Sequence, residues 1–314
     1  MTQATFTFKC ITMKRMVLWA AATVFYLACF AQSANKENTL LWRVSGKDLK
    51  TPSNLFGTIH MICGDDVIIS DSLKEAIKGA DKVYLELDMD NMFELMSVMS
   101  KMKMRGDTTL AQLLTPEEYE KVKNFFDSNK GLIPFSMLET YKPMLTASTL
   151  MQGSVDCSRP MAMEQLVMKE AKRSGIGIKG LETMAFQMSI FDSIPYAVQA
   201  KQLLNYVENY GNKDDNKEFE ELTKAYRNQD LKMLEMLTEK EDAGIQQFTE
   251  IMLYKRNEDW TKKLSEIMPA GSVVVAVGAG HLPGVRGVIN LLRKAGYKVE
   301  PVENKMIKNY EKTL

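Results

Sequence analysis

The sequence predicts an α/β protein. Two small β/α halves, about residues 38–91 and 271–303, build one central sheet, and a large, mainly helical insertion of about 92–270 separates them. Three observations carry this expectation. Short alternating or β-branched runs cluster near both ends of the chain, the stretch between them has helical spacing, and both histidines close such runs. A length of 314 residues with 45% hydrophobic and 25% charged content is that of an ordinary globular chain. It excludes disordered, collagen-like and polytopic membrane classes. Lys+Arg and Asp+Glu are equal at 40 each, so no net field draws the chain to nucleic acid, and no such partner is expected.

At the N-terminus, Lys14 and Arg15 precede an apolar run from Met16 to Ala31, and Gln32, Ser33 and Asn35 follow it. A basic start, an apolar stretch and a small-residue exit describe a secretory signal peptide over residues 1–31, cleaved after Ala31. As a helix the run spans roughly 24 Å, short of a bilayer core of ~30 Å; a retained anchor is the other reading. A lipoprotein at Cys29 is less favoured, because Tyr26 stands where an aliphatic residue is usual, and Met13 is an alternative start. The processed chain is then weakly acidic, without a membrane span, and periplasmic or extracellular. It keeps Cys63 and Cys157, whose pairing the sequence leaves open.

Leu40–Val44 and Asn54–His60 read as two strands of a hairpin turned at Ser45-Gly46-Lys47. Asp71–Ala80 has helical spacing, with Leu73, Ala76, Ile77 and Ala80 inward and Asp71 as cap. Asp81–Asp88 alternates, placing Val83, Leu85 and Leu87 on one face and Tyr84, Glu86 and Asp88 on the other. In the insertion, Thr115-Pro116-Glu117-Glu118 is a helix start. Gly175–Leu181 is a strand after the helix Met163–Ser174, and residues 211–216 form a loop between amphipathic helices. Ser272–Val277 reads as a strand buried on both faces. A helix follows over Val285–Ala295, stopped by Gly296, then a strand over Tyr297–Val302, and a charged tail, 304–314, expected to fray.

His60 closes Gly57-Thr58-Ile59-His60, and His281 closes Gly278-Ala279-Gly280-His281. Both histidines therefore occupy the fourth place of a Gly-x-x-His element after an apolar run, at the strand ends where α/β sheets bind ligands. Either histidine alone reads best as a satisfied structural residue; the shared frame favours a joint role. Neutral imidazoles bind divalent metals and need a carboxylate to complete the shell, and Glu86, mid-strand, is the best candidate, with an edge acid facing water as its bland alternative. Two histidines and one carboxylate suit Mn, Fe, Co or Zn and an activated water. The expectation is that the two rings lie side by side around one ion. No His-Glu-x-x-His helix and no Gly-x-Ser-x-Gly elbow exists, which excludes an ordinary zincin and an α/β-hydrolase serine site.

The two histidine motifs, followed in order by Tyr84-Leu85-Glu86-Leu87, Tyr141-Lys142-Pro143, Gly180-Leu181-Glu182-Thr183 and Arg256-Asn257-Glu258-Asp259-Trp260, resemble the TraB/GumN (TraB/PrgY/Tiki-like) family over residues 38–303. That family includes the Wnt-inactivating Tiki metalloproteases of animals. The resemblance implies an erythromycin-esterase/ChaN-like α/β fold. It also implies a metal-dependent centre at His60, Glu86 and His281, with Arg256 and Asn257 beside it. Arg256 would bind a substrate carboxylate or a developing oxyanion, with a helix-surface Arg and a capping Asn257 as the bland alternative, and Glu182 either lines the same cleft or caps the next helix. One departure is Glu164, where family members carry an Asp; the longer side chain leaves the placement of that acid open. The implied function is an exported metal-dependent hydrolase of peptidase type acting on a peptide or small molecule. The alternatives are sequestration of a peptide or signalling molecule without catalysis and, less favoured, an esterase or haem-binding role.

The Met-rich stretch Met89–Met104 has spacings of three and four and is expected to be helix core; an exposed peptide-binding surface and a thioether metal site are the other readings. Glu218–Glu221 is expected to be a solvated helix face.

Overall fold

A computed structural model describes residues 37–65, 67–129, 133–151, 157, 159–210, 213–239 and 248–306. The signal-peptide expectation falls outside the described residues. The fold is α/β, with a central mixed sheet flanked by helices. Its strands are β1 (Leu41–Ser45), β2 (Ser53–Thr58), β4 (Lys82–Leu87), β6 (Gly177–Glu182), β7 (Val273–Gly278) and β8 (Lys298–Pro301), in the order β6-β4-β7-β2-β1-β8. A separate two-stranded pairing joins β3 (Ile62–Cys63) to β5 (Pro160–Met161).

The predicted hairpin is present, with β1 antiparallel to β2. The β2–helix–β4 crossover is also present, but its two strands are not neighbours. The Val-rich β7, supplied from the far end of the sequence, lies between them, parallel to both. Its residues 273–277 are all buried, because a strand flanked on both edges and covered on both faces has no polar surroundings to match. Register aligns Gly57 with Val277 and Thr58 with Gly278, so the two Gly-x-x-His segments leave the sheet side by side.

This juxtaposition needs a bare backbone at Gly57. A Cβ there would lie 2.8 Å from Leu282 Cδ1 and 3.2 Å from Ala279 Cα, both in or next to the second motif. The buried Tyr226 hydroxyl donates to the Gly57 carbonyl at 2.9 Å and fixes that approach from the other side.

The insertion carries its own apolar cluster around Leu110, Val122, Phe126, Tyr141 and Leu203. Thr115 and Glu118 form the expected reciprocal cap of the Pro116–Ser128 helix. Lys142 is buried, donating to the Met188 carbonyl at 2.8 Å and pairing with Asp192 at 3.0 Å. It thereby ties the Met184–Phe191 helix to the start of the Pro143–Met151 helix.

Four local expectations are corrected. The Asp71–Lys78 helix is capped by Ser70, whose hydroxyl accepts the Leu73 N–H at 3.1 Å; Asp71 is its first helical residue. The Lys213–Arg227 helix takes in residues 213–216, so the predicted loop shrinks. The tail does not fray at its start. Asn304 is buried, accepts from Ser70 Oγ at 2.6 Å and donates to Gln229 Oε1 at 2.9 Å, while residues beyond 306 lie outside the described range. The Met-rich stretch is mostly not core: Met89, Met92, Met96 and Met99 are exposed, whereas Val98 and Met104 are buried. Spacing of three and four marks one face of a helix, but does not say whether anything covers that face.

Cys63 and Cys157 form a disulfide with Cα atoms 5.8 Å apart. It reinforces the β3–β5 pairing, and directly after β5 the chain enters the Met163–Arg173 helix, whose first N–H bonds the Ile59 carbonyl at 2.9 Å. The staple therefore holds Glu164 beside the first histidine motif.

Two stability changes follow. Gly57→Ala should cost about 1–3 kcal/mol, since backbone and a packed leucine must yield, read as a lowered urea midpoint at unchanged m. Cys157→Ser should cost about 2–5 kcal/mol under oxidising conditions and nothing once the wild type is reduced.

Candidate active site

Strands β6, β4, β7 and β2 run parallel, so their carboxyl ends share one edge of the sheet. Glu182 ends β6, Glu86 lies one residue from the end of β4, Gly278 ends β7, and His60 follows β2. The Lys255–Ile267 helix brings Arg256, Asn257 and Trp260 against these ends.

Glu86 is nearly buried, and each oxygen has a separate task. Oε1 accepts the Gly278 N–H at 2.8 Å; Oε2 accepts from Arg256 Nη2 at 2.6 Å and Gln187 Nε2 at 3.3 Å. Burial pushes this carboxyl up, but His281, Arg256, His60 and the Gly278 N–H outweigh it and hold it at about 2. Arg256 is the permanent charge among them. An acid facing water at a sheet edge is thus ruled out for Glu86.

His281 is buried against Trp260, their ring centroids 4.5 Å apart. Its Nδ1 lies 2.6 Å from Asn257 Oδ1, and Asn257 Nδ2 donates to the Arg286 carbonyl at 2.9 Å. That second bond orients the amide, so Oδ1 must accept and Nδ1 must carry the proton. Nε2 is left with its lone pair, 4.0 Å from Glu86 Oε1. Burial lowers this imidazole to about 3, so it is neutral.

His60 mirrors this arrangement at the surface. Its Nδ1 bonds Glu164 Oε1 at 2.8 Å, and Thr58 Oγ1 donates to the same oxygen at 2.6 Å. The hydrogen bond to Glu164 raises His60 to about 9. Burial opposes ionisation of Glu164, yet its bond to His60 keeps the carboxyl low. Glu164, the departure from the family pattern, does reach the histidine. Its Oε2 is buried without a partner. Nδ1 anchored by an acceptor, with Nε2 facing a ligand, is the usual support for a metal-binding histidine.

Arg256 holds the centre. Its Nε donates to Glu182 at 3.1 and 3.2 Å, Nη2 to Glu182 at 2.9 Å as well as to Glu86, and Nη1 to the Met252 carbonyl at 2.9 Å. Nη1 also lies 3.4 Å from His281 Nε2. Trp260 stacks under the guanidinium at 4.7 Å and donates its Nε1–H to Glu182 at 2.8 Å. The bidentate fork assigned to substrate is therefore engaged by two protein carboxylates.

Glu86, Glu182, Arg256, Asn257 and His281 thus form one connected network. His60 joins through its charge, not by contact: it bonds Glu164, and acts on Glu86 and His281 at longer range. Among the described residues no three His, Cys, Asp or Glu side chains converge as a ready metal-holding group. His60 bonds Glu164 instead of joining Glu86 and His281, and the Arg256 guanidinium reaches both of those. The donor set still suits a divalent ion. Both imidazoles have Nδ1 anchored and Glu86 is ionised; ligands of one tetrahedral ion at ~2.0–2.1 Å lie roughly 3.3–3.4 Å apart, so the 4.0 Å between Nε2 and Oε1 has to shorten, and His60 has to give up its proton, for the three to share an ion.

Sequence reasoning missed Gln187 and the role of Trp260. Gln187 bridges Glu86 and Glu182, the latter at 3.0 Å. Its signal was a lone amide in the mostly apolar Met184–Phe191 helix. Trp260 stands four residues after Arg256, the spacing that stacks two side chains on one helix face.

If Asn257 sets the His281 tautomer, Asn257→Ala should weaken Mn²⁺ or Co²⁺ binding about 10–100-fold in titration calorimetry while leaving the far-UV spectrum unchanged.

A model of the TraB/PrgY/gumN family matches residues 40–301. Among curated proteins, the chain is 24% identical to Metalloprotease TIKI2 of Danio rerio, covering 84% of this chain and 61% of that protein. It is 23% identical to Metalloprotease TIKI1 of Homo sapiens, covering 84% and 62%. The chain spans about three-fifths of the length of these curated relatives. No solved structure matches it. With the matched region running through all six strands of the central sheet, the chain belongs to the TraB/PrgY/gumN family.

Proposed function

We propose that this protein is an exported metal-dependent hydrolase of peptidase type. The observation that carries the reading is the pair of Nδ1-anchored histidines flanking an ionised, buried Glu86 at one sheet edge. The names of the TIKI relatives support the metalloprotease class. Export is supported by the basic-then-apolar N-terminal run and by the Cys63–Cys157 bond, which suits an oxidising compartment. Among the described residues no helix is long and apolar enough to cross a membrane.

His60, His281 and Glu86 would hold the ion; Mn, Co, Fe and Zn all fit this donor set. Such an ion polarises a scissile carbonyl and activates water at neutral pH. Glu86 acts as a ligand or as the general base, being ionised at any physiological pH. Arg256 can release Glu86 without becoming unpaired, because Glu182 engages its Nε and Nη2 together. Freed from Glu86, its Nη2 is available to a substrate carboxylate or to charge developing on the carbonyl oxygen. Asn257 keeps the proton on His281 Nδ1, and Trp260 keeps water from the guanidinium face.

Sequestration without catalysis is favoured by one observation, the guanidinium that reaches both Glu86 and His281. Chelation separates the two readings, since a binder keeps its ligand after metal removal. The direct test is turnover of a peptide library by the processed chain with Mn²⁺ or Co²⁺, followed by mass spectrometry. His60→Ala and Glu86→Gln should each lower kcat/KM by about 10²–10⁴-fold. Wild-type turnover in both variants would remove the mechanism.

A further inference from the structure

The Gln187 amide donates to two acids of the candidate site, Glu86 Oε2 at 3.3 Å and Glu182 Oε2 at 3.0 Å. Arg256 Nη2 reaches the same two oxygens, at 2.6 and 2.9 Å. Amide and guanidinium together span the two carboxylates and turn Glu86 Oε2 towards Glu182. Oε1 is left to the Gly278 N–H, on the side of His281.

The place of Gln187 is set from outside the site. It lies within the Met184–Phe191 helix, whose carbonyl end is held by two buried side chains. Lys142 Nζ donates at 2.8 Å to the carbonyl of Met188, the residue after Gln187, and pairs at 3.0 Å with Asp192, the C-cap residue. Gln199 Nε2 donates to the Phe191 carbonyl at 2.7 Å. Lys142 is itself firmly mounted: its N–H donates to the Met102 carbonyl at 2.9 Å, and its carbonyl accepts the Thr146 N–H at 3.2 Å at the start of the Pro143–Met151 helix. Lys142 and Gln199 adjoin Tyr141 and Ala200 of the insertion's own apolar cluster.

An ammonium suits the carbonyl end of a helix, and an acid such as Asp192 is tolerated there only when paired. For stability alone an apolar pair of the same size would serve as well as a buried ion pair. The ion pair adds direction, since its hydrogen bond to one carbonyl sets the helix in one place. Tyr141-Lys142-Pro143 contributes no side chain to the site, so its influence must pass through that carbonyl.

We propose that Gln187 is a positioning residue for Glu86, and that the buried Lys142–Asp192 pair sets where Gln187 stands and thereby which oxygen of Glu86 faces an ion. This deepens the hydrolase reading, on which it rests for the ion alone.

The first test uses amide and indole N–H spectra of the metal-free processed chain, independent of turnover. The Gly278 N–H reports on Glu86 and the Trp260 indole N–H on Glu182. The Trp42 indole N–H, which donates to the Thr39 carbonyl at 2.9 Å, is the internal reference. Gln187→Leu should move the Gly278 and Trp260 signals and leave Trp42 in place. Lys142→Met/Asp192→Leu should keep the fold and move the same two signals in the same direction. Asp192→Asn, which keeps the shape, should do so by less, and it carries the test if the paired variant fails to fold. Adding Gln187→Leu to either should move the signals no further than Gln187→Leu does alone, because both changes act through one residue. In a Mn²⁺ titration Gln187→Leu and the paired variant should each weaken binding about tenfold, and their combination no more than that. Unmoved Gly278 and Trp260 signals in the folded variants, an equal displacement of Trp42, or additive effects overturn the inference. A wild type that binds no Mn²⁺ sinks the metal-dependent reading, and the positioning of Glu86 is then decided by the Gly278 and Trp260 signals.

Discussion

The arrangement depends on where β7 sits. A strand of five buried apolar residues pairs on one edge with β2 and on the other with β4, and every feature of the candidate site follows from that placement. It puts the His281 segment against the His60 segment, with Gly57 bare so that they touch. It presents the last N–H of the strand, Gly278, to Glu86. Without β7 between them, β2 and β4 would each lack a neighbour, and their two site residues would have no common frame.

Around that frame the charges are arranged in alternation: Glu182, Arg256, Glu86, then the neutral His281. A carboxylate as enclosed as Glu86 needs a cation, and Arg256 is that cation in the absence of any other. Glu182 ensures that the guanidinium has a second place to rest. Each charge of the centre therefore has a partner of its own, and Asn257 and Glu164 anchor the Nδ1 atoms of His281 and His60.

Much of this was legible in the sequence. The Val273–Val277 run announced a strand buried on both faces, and the shared Gly-x-x-His frame marked two segments that each follow a strand of the sheet. What local pattern cannot carry is adjacency. Nothing in β2 or β4 says that a third strand comes between them, and nothing near Cys63 or Cys157 says that they meet. The Met89–Met99 spacing was correctly helical, yet its burial depended on a partner element that does not cover it. The start of the tail reads as frayed because it is charged, whereas Asn304 is held by Ser70 and Gln229, distant residues that no window includes. Gln187 went unnoticed since a single amide in an apolar helix carries no motif; its importance comes from the two acids that the sheet places beneath it.

The origin of β7 also has a temporal side. Glu86 and the Gly278 amide that receives it are 192 positions apart. During synthesis, most of the chain is made before the element that completes the centre. The pairing of β7 with β2 and β4 is long-range in sequence, the kind of contact that slows folding. A chain cut short before Val273 consequently lacks both the His281 segment and the amide that receives Glu86, so no amino-terminal fragment assembles this centre.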